Sequence, residues 1–212
     1  MMLINPAATL SGSPTRRRLL RGAALLAAAL SLTPAAAPTA RAITISGVNV
    51  PDSLTVDGKN LVLNGSALRT LTFLHVRIYV VALYLPQRSA DAQAILASPG
   101  PKVLALHYIH SGSKEQVQDR YREGETVNCG GGGCDPALQA DFDKLMASAA
   151  PVQEGDVTEF IVTAHAFRVM FNGKQVAAFN DNRLGNMVIE GFIGSHPPSP
   201  ELRAALLGVP MK

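Results

Sequence analysis

Between Leu61 and Pro86 the chain reads LVLNGSALRTLTFLHVRIYVVALYLP, a strand-like apolar stretch that carries Arg69 and Arg77. No Asp or Glu occurs from Lys59 to Ala90. Arginine cannot shed its charge, and a buried charge without a counter-ion is strongly destabilising. Each guanidinium must therefore face water, meet a carboxylate from a distant segment, or receive an anionic group from a ligand. Which of the three applies decides what the protein does.

Residues 1–42 read as an export signal that is removed, leaving 43–212 as the folded domain. Arg16-Arg17-Arg18-Leu19-Leu20-Arg21 precedes an apolar run from Gly22 to Leu32, and Ala40-Arg41-Ala42 is a small-residue cleavage site. The paired arginines followed by leucines look like the twin-arginine class of address, the alternative being a general-secretion signal with a basic start. The run is shorter than the roughly 20 residues that span a bilayer, so no stable membrane anchor is expected and the destination is periplasmic or secreted. Of the 19 Lys and Arg, five precede residue 43, which leaves 14 against 16 acids in the mature part. The basic balance belongs to the precursor, and with no long basic cluster the chain is not expected to bind nucleic acid. About 170 mature residues suit one domain.

Cys129 and Cys134 bracket Gly130 to Gly133. In an oxidising compartment this spacing favours a small disulfide ring over two free thiols, and two thiols are too few for a four-ligand zinc site. His107 and His110 face opposite sides if they lie on a strand, while His75, His165 and His196 have no ligand spacing. No metal or cofactor is expected. The chain lacks G-x-S-x-G, H-E-x-x-H and a phosphate-binding glycine loop.

Strand patterns run from Ile43 to Val48, through a hairpin over Ser53–Leu63 turning at Asp57-Gly58, and over 74–85, 102–110, 159–164, 166–171 and 175–179. Asn172-Gly173 is the signal for a tight type I′ hairpin. Helices are expected over 90–97, from a Ser113/Gln116 capping box to about Glu125, from Asp135-Pro136 to about Ala149, over 184–193, and from Ser199-Pro200 to Gly208. Strands joined by hairpins with helices grouped in the middle and at the end predict an α+β fold, a large antiparallel sheet with helices packed on one face.

Two segments carry more than pattern. Asn64-Gly65-Ser66-Ala67-Leu68-Arg69 leading into Ala82-Leu83-Tyr84-Leu85 resembles the opening of chalcone isomerases. Phe179-Asn180-Asp181-Asn182-Arg183-Leu184-Gly185 and Ile193-Gly194-Ser195-His196-Pro197-Pro198-Ser199-Pro200 are similar to that family's closing helices. The chain thus looks like a bacterial, exported member of the chalcone isomerase-like branch. The resemblance implies an open-faced β-sandwich with a ligand cleft between sheet and helices. It also implies site residues: Arg69 for the arginine that binds the phenoxide in the enzymes, Tyr121 for the ketone-polarising tyrosine, and Asn128 for the ring-binding asparagine. Counting back from Tyr84 and from Ile193 puts Tyr79 at the enzymes' threonine and Gly185, beside Asn186, at their serine or threonine.

Arg followed by Tyr at the first two places resembles the non-catalytic, fatty-acid-binding members of the superfamily, in which that pair holds the carboxylate. The first reading is accordingly a module that binds a small apolar carboxylate, with Arg69, Tyr79, Tyr121, Asn128, Gly185 and Asn186 at the ligand. A guanidinium grips a carboxylate in two bonds, a phenol adds a third, and an apolar cleft shelters the tail. The second is an intramolecular lyase closing a chalcone to a flavanone, with a phenolic ligand and with Arg69, Tyr79 and Tyr121 catalytic. A third is an envelope protein that serves an assembly, which predicts a cleft filled by its own side chains.

Overall fold

A computed structural model describes residues 41–71, 76–130 and 133–209. The expected export signal lies outside them save for Arg41 and Ala42, as do His75 and the middle of the glycine loop. The chain opens with β1 (Ala42–Ile45) and β2 (Val48–Pro51), an antiparallel ribbon. The sequence suggested one strand here. Instead, Ser46 and Gly47 adopt positive φ (50° and 86°) and turn the chain back on itself.

A seven-stranded antiparallel sheet follows, made of β3 (Ser53–Val56), β4 (Lys59–Leu71), β5 (Val76–Leu85), β6 (Lys102–Tyr108), β7 (Val157–Val162), β8 (Phe167–Phe171) and β9 (Lys174–Phe179). Each strand pairs with the next in the chain. Helix α1 (Ala92–Ala97) joins β5 to β6, α2 (Lys114–Cys129) and α3 (Pro136–Ala147) join β6 to β7, and α4 (Arg183–Ile193) and α5 (Pro200–Leu206) follow β9. At Asp57-Gly58 (φ 50° and 74°) and Asn172-Gly173 (φ 48° and 74°) both turn residues are left-handed, as a type I′ hairpin requires.

The helices begin where side chains supply acceptors for their free N–H groups. Ser113 and Gln116 form the reciprocal capping box of α2, Asp135 accepts from the Leu138 N–H ahead of α3, and Ser199 accepts from the Leu202 N–H ahead of α5. Helix α2 continues past Glu125 to Cys129. Asn128 folds its amide onto the Gly124 carbonyl at 2.7 Å, and Gly130, at φ 63°, ends the run.

All five helices pack on one face of the sheet, where Val81, Leu104 and Phe167 meet Leu145, Leu184 and Leu206. The opposite face is not bare. Leu61, Val80, Tyr84 and Val103 bury against Val50 of the β1–β2 ribbon, and the Tyr84 hydroxyl donates to the Pro51 carbonyl at 3.0 Å.

The Asn64-Gly65 pair explains why β4 docks on α5. Asn64 sits at a register shift between Leu63 and Gly65, and its buried amide donates to the carbonyls of Leu206 (2.7 Å) and Ser89 (3.0 Å). Gly65 lets α5 approach: a Cβ there would overlap the Ala205 carbonyl oxygen and come within 2.7 Å of that of Leu206.

Candidate functional site

Beneath the helices lies a cavity of about 430 Å³, walled by the inner ends of β4, β5 and β6 and by α2 and α4. Its interior is apolar, formed by Leu106, Phe142, Leu145, Phe160, Leu184 and Val188 among others. Arg69 and Tyr79 stand on the wall directly opposite one another in the β4–β5 pair. Just past them the register skips a residue, since Thr70 pairs with Arg77. This bulge re-aims β5 so that the consecutive residues Ile78 and Tyr79 both reach the cavity.

The two arginines take different courses. Arg77 is exposed to water. Arg69 is half-buried, and its Nη1 donates to the Pro198 carbonyl at 3.0 Å. Among the described residues no ion pair involves Arg69. The connection that carries Pro198 is itself fixed from α5, because Arg203 Nε donates to the carbonyls of Ile193 and Gly194 at 2.8 and 3.0 Å.

Tyr108 and Tyr121 line the cavity together with Tyr79. The Tyr79 and Tyr108 rings meet edge to face at 6.0 Å, and Tyr121 meets Phe160 likewise at 6.4 Å. Burial pushes the Tyr79 hydroxyl up to about 12, against the lowering influence of the Arg69 charge. Burial also raises Tyr121 and Tyr108, the latter opposed by a hydrogen bond with Thr158. All three stay protonated at neutral pH.

This arrangement sets an alkaline limit on the fold. An unfolded tyrosine ionises near 10, so the raised Tyr79 binds its proton more tightly when folded. The stability this contributes is complete below pH 10 and is lost as pH rises toward 12, a fall of about 2 kcal/mol for this group. Urea midpoints measured from pH 8 upward are expected to decline in that window, less steeply for Tyr79→Phe. An equal decline in both proteins would remove Tyr79 as the cause.

Helix α2 covers the cavity and buries none of its residues. Its outer face meets water, and Val117, Tyr121, Gly124 and Asn128, one stripe at helical spacing, face the hollow. What holds α2 lies at its ends and on α3. Gly112 and Val152 exchange two backbone bonds at 2.9 Å, Gln118 donates to the Met146 carbonyl at 3.0 Å, and Gln139 donates to Glu125 at 2.7 Å. At its C-terminal end Cys129 is disulfide-bonded to Cys134, with Cα atoms 4.7 Å apart.

A family model described as chalcone isomerase-like matches residues 42–208. The chain belongs to the chalcone isomerase-like family. Its fold is that of a fatty-acid binding protein from Arabidopsis thaliana, which superposes with a TM-score of 0.62 at 14% identity, covering 79% of this chain and 96% of that one. No curated protein matches the sequence significantly.

Against the chalcone isomerase pattern, the structure brings Arg69, Tyr79, Tyr121 and Asn128 to one cavity. Gly185 and Asn186, expected at the ligand, are not on its wall. Gly185 faces the sheet, where a Cβ would stand 2.7 Å from the Phe167 and Val162 side chains, so a serine or threonine does not fit there. The side-chain amide oxygen of Asn186 is buried with no hydrogen-bond partner among the described residues. Met187, Val188, Gly191 and Phe192 supply the α4 side instead.

Sequence reasoning also missed Tyr108, Arg120 and Glu123 on the wall. The signal for Tyr108 is the pairing of β6 with β5, which sets it opposite Tyr79. His110 lines the cavity, whereas His107 pairs with Val80 on the far face. Among the described residues no group of three or more His, Cys, Asp or Glu is placed to hold a metal. No described helix is long and apolar enough to cross a membrane. Among the described residues the cavity is not filled by side chains, as the cleft of an assembly protein was expected to be.

Proposed function

We propose that this protein binds an apolar anionic small molecule, a fatty acid, with Arg69 and Tyr79 holding the carboxylate and the cavity sheltering the chain. The observation that carries this reading is a guanidinium paired with no carboxylate of the described residues, set across one strand pair from a protonated phenol, on the wall of an apolar cavity. A carboxylate there accepts two bonds from the fork and one from the phenol, and the volume is in the range of small-molecule sites. The fatty-acid binding protein with the same fold supports the assignment.

Native mass spectrometry of gently purified protein should show a bound acyl chain, and stripped protein should take up oleate one to one. Protein that neither retains nor takes up an acyl chain would defeat the proposal.

A second reading, ring closure of a chalcone, draws on Tyr121 and Asn128 sharing the cavity with Arg69. Gly185 weighs against it, since no hydroxyl fits there to hold the second ring. Loss of chalcone absorbance no faster than with Arg69→Ala protein would dispose of it, whereas rapid stereoselective closure would put it first.

We also propose that the protein works in an oxidising compartment, periplasmic or extracellular, after removal of residues 1–42. The bonded Cys129–Cys134 pair supports this.

A further inference from the structure

The cavity wall holds a second arginine. Arg120 lies on α2 one turn from Glu123, and both residues border the cavity. Arg120 Nη1 meets Glu123 Oε2 at 2.7 Å, with each side chain 62% exposed, which places the pair at the mouth. Asp119, the other carboxylate on the wall, is engaged by Arg122. The two wall arginines therefore differ in kind. Arg69 is held by a neutral carbonyl, while Arg120 is held by a carboxylate that a ligand can replace.

We infer that the Arg120–Glu123 pair is an exchangeable clasp at the mouth of the site: Arg120 leaves Glu123 for the carboxylate seated on Arg69, and Glu123 opposes the incoming charge and sets the affinity. This rests on the fatty-acid reading above. An exposed pair one helical turn apart contributes little, so exchanging it is cheap. A carboxylate sheltered by the cavity feels a guanidinium more strongly than one in open water does. Both charges also act on the Tyr79 hydroxyl, Arg120 lowering and Glu123 raising its pKa, so the pair works within reach of the head-group position. The clasp makes the site selective for an ionised head and gives it two cations with one competing anion.

The test compares oleate with oleyl alcohol, which has the same chain and no charge, by displacement of cis-parinaric acid from the full protein. Arg120→Gln is expected to weaken oleate about tenfold and leave the alcohol within about twofold. Glu123→Gln is expected to tighten oleate about threefold, because the repelling carboxylate is gone and Arg120 is released. Lys59→Gln makes the same change in net charge at the far end of β4, away from the wall, and should leave both ligands within about twofold.

A purely structural role for Arg120 would weaken acid and alcohol alike. That result overturns the inference, as does an Arg120→Gln protein indistinguishable from Lys59→Gln, or a Glu123→Gln protein that binds oleate no tighter. Wild-type protein that binds oleate no better than the alcohol would overturn the head-group role of Arg69 first, and this inference with it.

Discussion

Replacing Arg69 by alanine is expected to weaken oleate binding about 100-fold, equivalent to about 3 kcal/mol. The ligand carboxylate would then be drawn into an apolar cavity without its principal cation, and an anion so placed does better in water. Arg69→Lys should fall between the two. It keeps the charge but not the planar fork, one arm of which is already committed to the Pro198 carbonyl at 3.0 Å. The urea midpoint should change little, because the side chain is half-buried and makes that single bond. Titration of each variant decides the matter: an Arg69→Ala protein with wild-type affinity would place the head group elsewhere.

The largest expected effect on the fold comes from one methyl group. Gly65→Ala puts a Cβ into the Ala205 carbonyl oxygen and within 2.7 Å of the Leu206 carbonyl oxygen, and these are backbone atoms that cannot swing aside. Helix α5 must shift, which pulls buried Leu202 and Leu206 from the core and strains the bond from Asn64 to the Leu206 carbonyl. A loss of about 3 kcal/mol or more is expected, read as a lowered urea midpoint. A midpoint equal to wild type would mean that α5 is not seated on β4 as described. Because Arg203 on α5 anchors the connection that bears Pro198, the variant should also loosen Arg69 and weaken oleate.

Local chemistry made much of the fold legible. Asp57-Gly58 and Asn172-Gly173 announced their turns because few other pairs accept left-handed φ at both positions, and Ser113/Gln116, Asp135-Pro136 and Ser199-Pro200 announced helix starts through their caps. Misreadings arose where a tertiary contact overrode a local signal. The hairpin reading ended its second strand at Leu63. In the fold Asn64 is a bulge residue, and β4 runs on to Leu71 because α5 takes the Asn64 amide. Helix α2 looked shorter than it is, since its inner stripe of Val117, Tyr121, Gly124 and Asn128 faces a cavity and shows little of the apolar periodicity of a core helix.

The site was legible in proportion to what the strands and the family pattern specify. Arg69 and Tyr79 stood out through an acid-free strand pair and a resemblance. Tyr108 needed the register of β6 on β5, and Arg120 with Glu123 needed the position of α2, neither of which a single chain states. Gly185 was taken for a lost hydroxyl. The packing of α4 on Phe167 and Val162 shows that the position has no room for one.

Strands β6 and β7 pair directly, Lys102 with Val162 through His107 with Val157, although 109–156 lie between them in the chain. That whole interval, α2 and α3 included, is an excursion from a meander that closes without it. The half of the pocket supplied by this detour can therefore diverge in length, charge or crosslinking while the strand frame keeps its register. Strand frame and cavity cover are thus drawn from separate stretches of the same gene product.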